Sequence, residues 1–509
     1  MPAAPDTGGR LPSVVRALDV VERLGNRLPH PFWLFWVLSA LLGLLSLGLA
    51  AAGIGATDPG SGGWVPVRNL LSGDGLAFAV GAALDSYRSF PPLVTIMVVI
   101  MGVALAERTG LLRAALRASL ANVPASLVVF VLAFLGTVST VASAAAYVIL
   151  VPLGGIAFQA VGRSPILGVV VAYTSIASGY DANPVPTPND VVFAGISTAA
   201  ARIVDPDAVV TPLANWYFNI ASALLLAAVI TLVTELLLTR RDNLEPDEGT
   251  GSHDEGLDLS ADERSGLRWA FLAVLTLLTV TLLLTAPAGA PLRGDGGAEG
   301  SPLMAGVAFL IAVVFGIGGI AFGIRTGVIR TFDDVPAIMA KGIVTVAPVL
   351  VFFFAISQFL AYFEWTNVGT LLSVATSDLL RDIGAPTWLV LLTVLGFLLV
   401  LNIVITSGTA MWAITAPVVV PMLMLLDVPP DTAQAVFRIA DSGSTSISPM
   451  SPYFLLALGF LQRYRAGAGI GTLVSFTLPL ALFMTAAWTV LFLVWWSLGI
   501  PLGPGAPVR

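Results

Sequence analysis

Uncharged apolar stretches long enough to cross a bilayer recur along almost the whole chain. Residues 32–54 and 304–324 are two of them. Each exceeds the roughly 20 residues that a helix needs to cross about 30 Å of hydrocarbon. Inside lipid, backbone N–H and C=O groups cannot turn to water, so only helices or a closed barrel can span. The sequence lacks the apolar/polar alternation with regular turns that a transmembrane barrel requires. Only 11% of the 509 residues are charged and 57% are hydrophobic, against roughly 25% charged in soluble domains. The fold expected is therefore an all-α polytopic membrane protein.

Placing the spans first and the orientation second, the expected helices cover residues 32–54, 91–106, 166–178, 213–238, 267–285, 304–324, 342–363 and 472–498. Residues 366–384 form a weakly amphipathic piece. Arginines gather in the N-terminal segment and in residues 108–117, 240–268 and 325–341, whereas the loops 57–89 and 287–301 carry few. That bias places the N-terminus in the cytoplasm and the chain in the inner membrane. Five divisions follow: an amphipathic cytoplasmic N-terminus (1–31), a first half (32–239), an acidic flexible cytoplasmic loop (240–266), a second half (267–500) and a C-terminal tail (501–509).

Several chemistries are excluded. The first thirty residues hold Arg10, Arg16, Arg23 and Arg27 and no apolar core, so they do not read as a signal peptide. Without cysteine there are neither disulfides nor thiolate metal sites. The two histidines, His30 and His253, lie in polar segments and build no metal site. Lys341 is the only lysine, and Ala340-Lys-Gly342 is not a phosphate-binding loop. A P-loop ATP-driven pump is excluded, and the missing machinery favours a gradient-driven carrier over an enzyme, with no cofactor, no nucleic-acid partner and the lipid bilayer as its surroundings.

Two pairs of breaks interrupt the apolar pattern. Residues 125–160 are too long for one helix and are broken by Gly136-Thr-Val-Ser-Thr-Val-Ala-Ser143. A helical hairpin entering and leaving by one side fits better. In the second half, residues 388–402 lead into a similar break before Ser407-Gly-Thr-Ala-Met-Trp412. Downstream of each lies another broken element, Ser178-Gly-Tyr-Asp181 to Pro188 and Ile439-Ala-Asp441 to Pro449. Matched broken segments in two halves are the best sequence pointer to a carrier's binding site. Helix N-termini at such breaks attract anions and carbonyl ends attract cations. Ordinary proline-kinked helices would give the same pattern.

The intramembrane charges are the next signal, because a charge in a span is costly and functional by default. Arg438 and Asp441 are three apart on a helix starting near Asp431, and so share a face. Either Arg438 binds a substrate carboxylate while Asp441 takes a cation or proton, or the two form a structural ion pair. The hydroxyls of Ser139, Thr140, Ser143, Ser407, Ser442 and Thr445, with Asp181, Asn183 and Asp441, are candidate ion ligands. Oxygen donors of this kind suit Na⁺, expected at the Asp441 and Asp181 regions; H⁺ is the other candidate. Trp412, beside the second hairpin break, is either a packing residue or an aromatic platform. Glu107 reads as interfacial.

Leu28-Pro-His-Pro-Phe-Trp-Leu-Phe35, preceded by Val21-Glu-Arg-Leu-Gly-Asn-Arg27, resembles the start of the AbgT family, the p-aminobenzoyl-glutamate transporters. So does the block from Trp412 through Leu425, followed by Arg438-Ile-Ala-Asp-Ser442 and Pro449-Met450. The resemblance implies a homodimer whose protomers each have about nine spans plus two re-entrant hairpins, built as an inverted repeat with core and frame subdomains. It implies ion-driven transport of p-aminobenzoyl-glutamate or p-aminobenzoate, with export of sulfonamide antimetabolites in some members. Family site positions fall on Asp190, Asn402, Thr409, Trp412, Pro430, Arg438, Asp441 and Pro449. The chain departs from the family pattern at Thr140, Ala144, Asp181 and Thr445. A hairpin-type Na⁺-coupled dicarboxylate carrier is the alternative reading, and a channel or an intramembrane enzyme is the rival of another class.

Overall fold

Helices begin where the chain supplies a proline or a capping hydroxyl, and stop where glycine or proline intervenes. A computed structural model describes residues 31–57, 63–121, 123–241, 244–247, 257–287, 289–294 and 301–509. The reading of the N-terminal segment, and part of that of the acidic loop, fall outside these residues.

Helix α1 (Pro31–Ala51) leads into a short antiparallel ribbon, Gly55–Thr57 with Trp64–Pro66, a small β element in an otherwise helical protein. After two short helices come α2 (Pro91–Arg108), started by adjacent prolines, and the amphipathic α3 (Leu111–Leu120). The first hairpin is α4 (Val128–Ser139) and α5 (Ala144–Ala160), and the first broken element is α6 (Pro165–Ala177) and α7 (Pro188–Ala201). Next are α8 (Trp216–Val233), which runs on through a π turn to Leu238, and α9 (Ala261–Leu283). The second half has α10 (Val307–Arg325), α11 (Asp334–Trp365) and α12 (Val368–Asp382). Then follow α13 (Thr387–Val404), α14 (Gly408–Met424), α15 (Pro430–Thr445), α16 (Pro452–Gln462) and α17 (Ile470–Leu498).

Among the described residues eight helices are long and apolar enough to span: α1, α2, α8 with its π turn, α9, α10, α11, α13 and α17. The order of element types recurs. A long helix, a short one, an interrupted pair, a second interrupted pair and a long helix run from α2 to α8, and again from α11 to α17.

The packing places the interrupted pairs inside. Every residue of α6 is buried, as is α15 from Asp431 to Ser444. Long helices lie outside them, and α9 shows lipid an almost continuous apolar surface that includes Phe271, Leu275 and Leu282. Helices α2 and α10 cross closely because both carry glycine at the contact. A Cβ on Gly102 would lie 2.0 Å from the Ala312 carbonyl oxygen, and one on Gly319 would lie 2.5 Å from the Ala106 nitrogen. Small residues at crossings let backbones approach where no hydrophobic effect drives association.

One boundary differs from the sequence reading. Helix α9 starts at Ala261, inside the segment read as a flexible loop, because Ser260 and Glu263 form a capping box. Its first turn is tied to α3 by Arg117, which pairs with Glu263 at 3.1 Å. Asp247, in the same segment, accepts a hydrogen bond from the Ala466 backbone N–H at 2.8 Å. The C-terminal tail is likewise built into the structure. Thr432 donates to the Val508 carbonyl at 2.7 Å, and Leu502 and Val508 are buried.

The close α2–α10 crossing predicts that Gly102→Leu destabilises the protein by roughly 1–3 kcal/mol through overpacking. Gly48→Leu in α1, where no atom lies within 4 Å of the new Cβ, should leave stability unchanged. Thermal unfolding of the two purified variants measures the difference.

Candidate functional site

Each break is made by local chemistry. After α4 the chain takes a single 3-10 turn, Thr140–Ala142, and then Ser143 adopts φ +47°. A left-handed serine is uncommon and strained. The first broken element turns through residues 178–187, where Pro184 and Pro186 forbid helix, and restarts at Thr187 and Asp190, which form a capping box. Ser407 caps α14 by accepting the Ala410 N–H, and Pro452 opens α16.

Four helices thus begin deep in the protein, and their first residues meet. Ala144 and Ala145, Pro188 and Asn189, Gly408 and Thr409, and Pro452 and Tyr453 line two adjoining cavities of about 340 Å³ each, which share Tyr180, Asn189, Thr409 and Tyr453. The first N–H groups of a helix have no intrahelical acceptor and carry the positive end of its dipole. Tyr147 and Tyr453 stack in parallel at 4.1 Å and, with Tyr180, supply aromatic walls. Ile96, Ile100 and Val103 of α2 and Val346 and Val349 of α11 close the second cavity with apolar surface, and Glu107 also lines it.

The two broken elements are joined behind this cavity. Ser178 donates to Ser446 at 2.6 Å, and the Asp181 backbone N–H donates to Ser442 at 3.1 Å. The carboxyl groups of Asp181 and Asp441 lie close to each other, with Arg438 near both. Like charges this close disfavour ionisation of both acids together. Asp441 lies against the N-terminus of α14: a Cβ on Gly408 would fall 2.2 Å from Asp441 Oδ2. Glycine is what lets the carboxyl approach that helix end.

Arg438 points elsewhere. Its Nη2 pairs with Asp190 Oδ1 at 2.6 Å, its Nε donates to Asn215 Oδ1 at 3.0 Å, its Nη1 lies 3.4 Å from the Asp181 carbonyl, and the guanidinium covers the Phe193 ring. Its ion-pair partner is thus Asp190 on α7, not Asp441 on its own helix, which corrects the structural ion pair considered above. The reason is geometric, since α7 packs beside α15 and offers a carboxylate that its own capping box already holds in place. Both side chains are buried, so removing one partner costs roughly 3–5 kcal/mol. Trp412 is also enclosed. It stacks on Phe437 at 4.5 Å, donates its indole N–H to Ser197 at 2.9 Å and does not line the cavities.

Of the residues singled out in the sequence, Ser143, Ser407, Thr409, Asp441 and Thr445 line the cavities. Asn183 donates to Thr140 at 2.6 Å and ties the first break to the hairpin tip, while Ser139 caps its own helix through the Gly136 carbonyl. Asn402 bridges α13 to α15 through the Asp441 carbonyl and Ser444. Pro430 opens α15, and Pro449 lies in the turn before α16. Sequence reasoning missed Tyr147, Tyr180, Asn189, Tyr453 and Asn215, and read Glu107 as interfacial. Asn189 and Tyr453 each directly follow the proline that restarts a broken element, a signal that was present and unused.

The family described as the AbgT putative transporter family matches residues 16–509. The p-aminobenzoyl-glutamate transport protein of Escherichia coli is 37% identical over 491 residues, 95% of each chain. The Alcanivorax borkumensis YdaH transporter superposes with a TM-score of 0.88 at 35% identity, covering 94% of this chain and 100% of that one. MtrF of Neisseria gonorrhoeae, described within a class of antimetabolite efflux pumps, superposes with a TM-score of 0.91 at 35% identity, covering 97% of this chain and 100% of its own. Matched in sequence and fold over nearly its whole length, the chain belongs to the AbgT family and is a multi-pass membrane transporter, not an enzyme.

Proposed function

We propose that this protein is a secondary transporter of aromatic carboxylates driven by a proton gradient, with p-aminobenzoyl-glutamate and p-aminobenzoate as its solutes. The observation that carries the reading is the cavity itself, where four helix N-termini meet three tyrosines. Helix N-termini supply the anion site. Tyrosine faces supply a place for a ring, which an aliphatic dicarboxylate would not use. The E. coli relative's solute has both parts, and the N. gonorrhoeae relative's description adds antimetabolite efflux, which the family resemblance extends to export of p-aminobenzoate or sulfonamide antimetabolites.

Proton rather than Na⁺ coupling is favoured by the carboxyl pair of Asp181 and Asp441. Each acid comes from a different half of the chain, and their direct contact leaves a proton as the simplest bridge. Loss of that proton would push the two broken elements apart. The recurring element order supports an inverted repeat, in which a core of α4–α8 and α13–α17 moves against a frame containing α2 and α11. The homodimer in the inner membrane that the family resemblance implies completes the reading.

Proteoliposomes loaded under separate H⁺ and Na⁺ gradients test it. Both aromatic carboxylates should accumulate under the H⁺ gradient and succinate should not. Asp441→Asn and Asp181→Asn should abolish accumulation while solute exchange at equal pH persists. Accumulation under the Na⁺ gradient alone, or succinate carried as well as the aromatics, would sink the proposal.

The aromatic walls generate a second prediction. Tyr453→Leu should weaken aromatic solutes by roughly two- to tenfold, the worth of about 0.5–1.5 kcal/mol of ring stacking, and leave unstacked analogues unaffected. Trp412→Ala should instead lower the melting temperature and reduce transport of every solute alike, because it opens a void in a core costing roughly 3–5 kcal/mol. Affinity and melting temperature measured on the same preparations separate the two.

A further inference from the structure

The last turn of α2 lies beside the first turns of α11, and together they put two cations into one cavity. Arg108 of α2 and Lys341 of α11 line a space of about 490 Å³, with Val328 of the α10–α11 turn and Asp334, Ala337 and Ile338 of α11. None of these residues lines the two cavities of the candidate solute site. Arg108 Nη2 donates to Thr345 Oγ1 at 3.2 Å and to the Lys341 carbonyl at 3.4 Å, which holds the guanidinium against the lysine backbone. Among the described residues neither cation forms an ion pair. Asp334 is the one acid on the wall, and its Oδ2 already accepts the Arg330 and Thr331 backbone N–H groups at 2.8 and 2.7 Å. The wall therefore carries two positive charges and one negative.

The surroundings of this cavity are apolar. Phe332, in the α10–α11 turn, is 98% exposed. Ile324 in the last turn of α10 is exposed, as is Val344, three residues beyond Lys341 on the same face of α11. Helices α2, α10 and α11 all span, so these side chains lie at the end of the hydrocarbon, where acyl chains run. A free anion has no use for such surface, whereas a lipid does. The geometry points to a binding site for the head group of an anionic phospholipid. Its phosphate sits between Arg108 and Lys341, hydroxyls of the head group donate to Asp334, and its chains lie along Val344 and Phe332. Phosphatidylglycerol, with one net negative charge and two hydroxyls, matches this wall. Basic cavities between spans at the cytoplasmic face suit such head groups, and the arginine bias places this end of the spans there. The lipid would tie α2 to α11 without touching the solute.

Lys341 is the only lysine of the chain, so its acylation by an amine-directed reagent can be followed on a single peptide by mass spectrometry. The purified full-length protein in a neutral detergent is titrated with phosphatidylglycerol, phosphatidylcholine or inorganic phosphate, and bound lipid is counted by native mass spectrometry. Phosphatidylglycerol should bind more tightly than phosphatidylcholine and should slow Lys341 acylation by roughly fivefold or more. Phosphatidylcholine and phosphate should leave the acylation rate unchanged. Arg108→Gln and Lys341→Gln should each weaken phosphatidylglycerol by roughly fivefold, the scale of one basic residue at a membrane surface. Arg240→Gln, which removes an exposed cation beyond the end of α8, should not. Affinity for phosphatidylglycerol relative to phosphatidylcholine within one variant does not depend on how much of it is folded. Protection of Lys341 by phosphate as strong as by phosphatidylglycerol would make this a free-anion site and overturn the lipid proposal. Equal losses in all three variants would mean general surface charge, and Lys341 left reactive with phosphatidylglycerol bound would mean binding elsewhere; either result overturns it.

Discussion

Inside a membrane every backbone donor and acceptor must find a partner, and most of this structure follows from where that demand is broken. The four interrupted elements free N–H and C=O groups at a depth where lipid offers nothing. They survive because protein encloses them: α6 is buried throughout, and so is α15 over nearly all its length. The long apolar helices have lipid on one side and these broken elements on the other. The first turns of the helices that open at Ala144, Pro188, Gly408 and Pro452 line the two adjoining cavities, which makes the structural liability a candidate binding surface.

The buried charges obey the same logic at higher stakes. Arg438 is held by Asp190, Asn215 and a carbonyl and is itself buried. It fastens α15 to α7, and so joins the second half of the chain to the first. Asp181 and Asp441 make the other junction, where two acids from different halves come together near Arg438. One junction is a fixed pair of opposite charges. The other brings two acids together, and it is where the proposed coupling proton would act. Trp412 belongs with the fixed part, stacked on Phe437 one residue before Arg438.

The sequence alone determined that the chain crosses a membrane many times, because apolar length and missing charge leave a helix no other environment. It determined where the helices break, because Pro184, Pro186, Pro188 and Pro449 and the hydroxyl-rich runs act locally on the backbone. It also marked the buried charges, since a charge in an apolar run is visible without any partner. The tertiary structure alone decided who meets whom. Spacing along α15 offered Asp441 to Arg438, yet Asp190, far away in sequence, took the guanidinium because α7 packs beside α15. Tyr147, Tyr180 and Tyr453 looked like scattered aromatics until three separate elements brought them to one cavity. Glu107 looked interfacial from its place near the end of a span, and became a cavity residue only through the packing of α2 against the hairpin tip. Propensity, hydropathy and capping are properties of neighbours in sequence, whereas a binding site is a meeting of residues distant along the chain, and no local rule specifies that meeting.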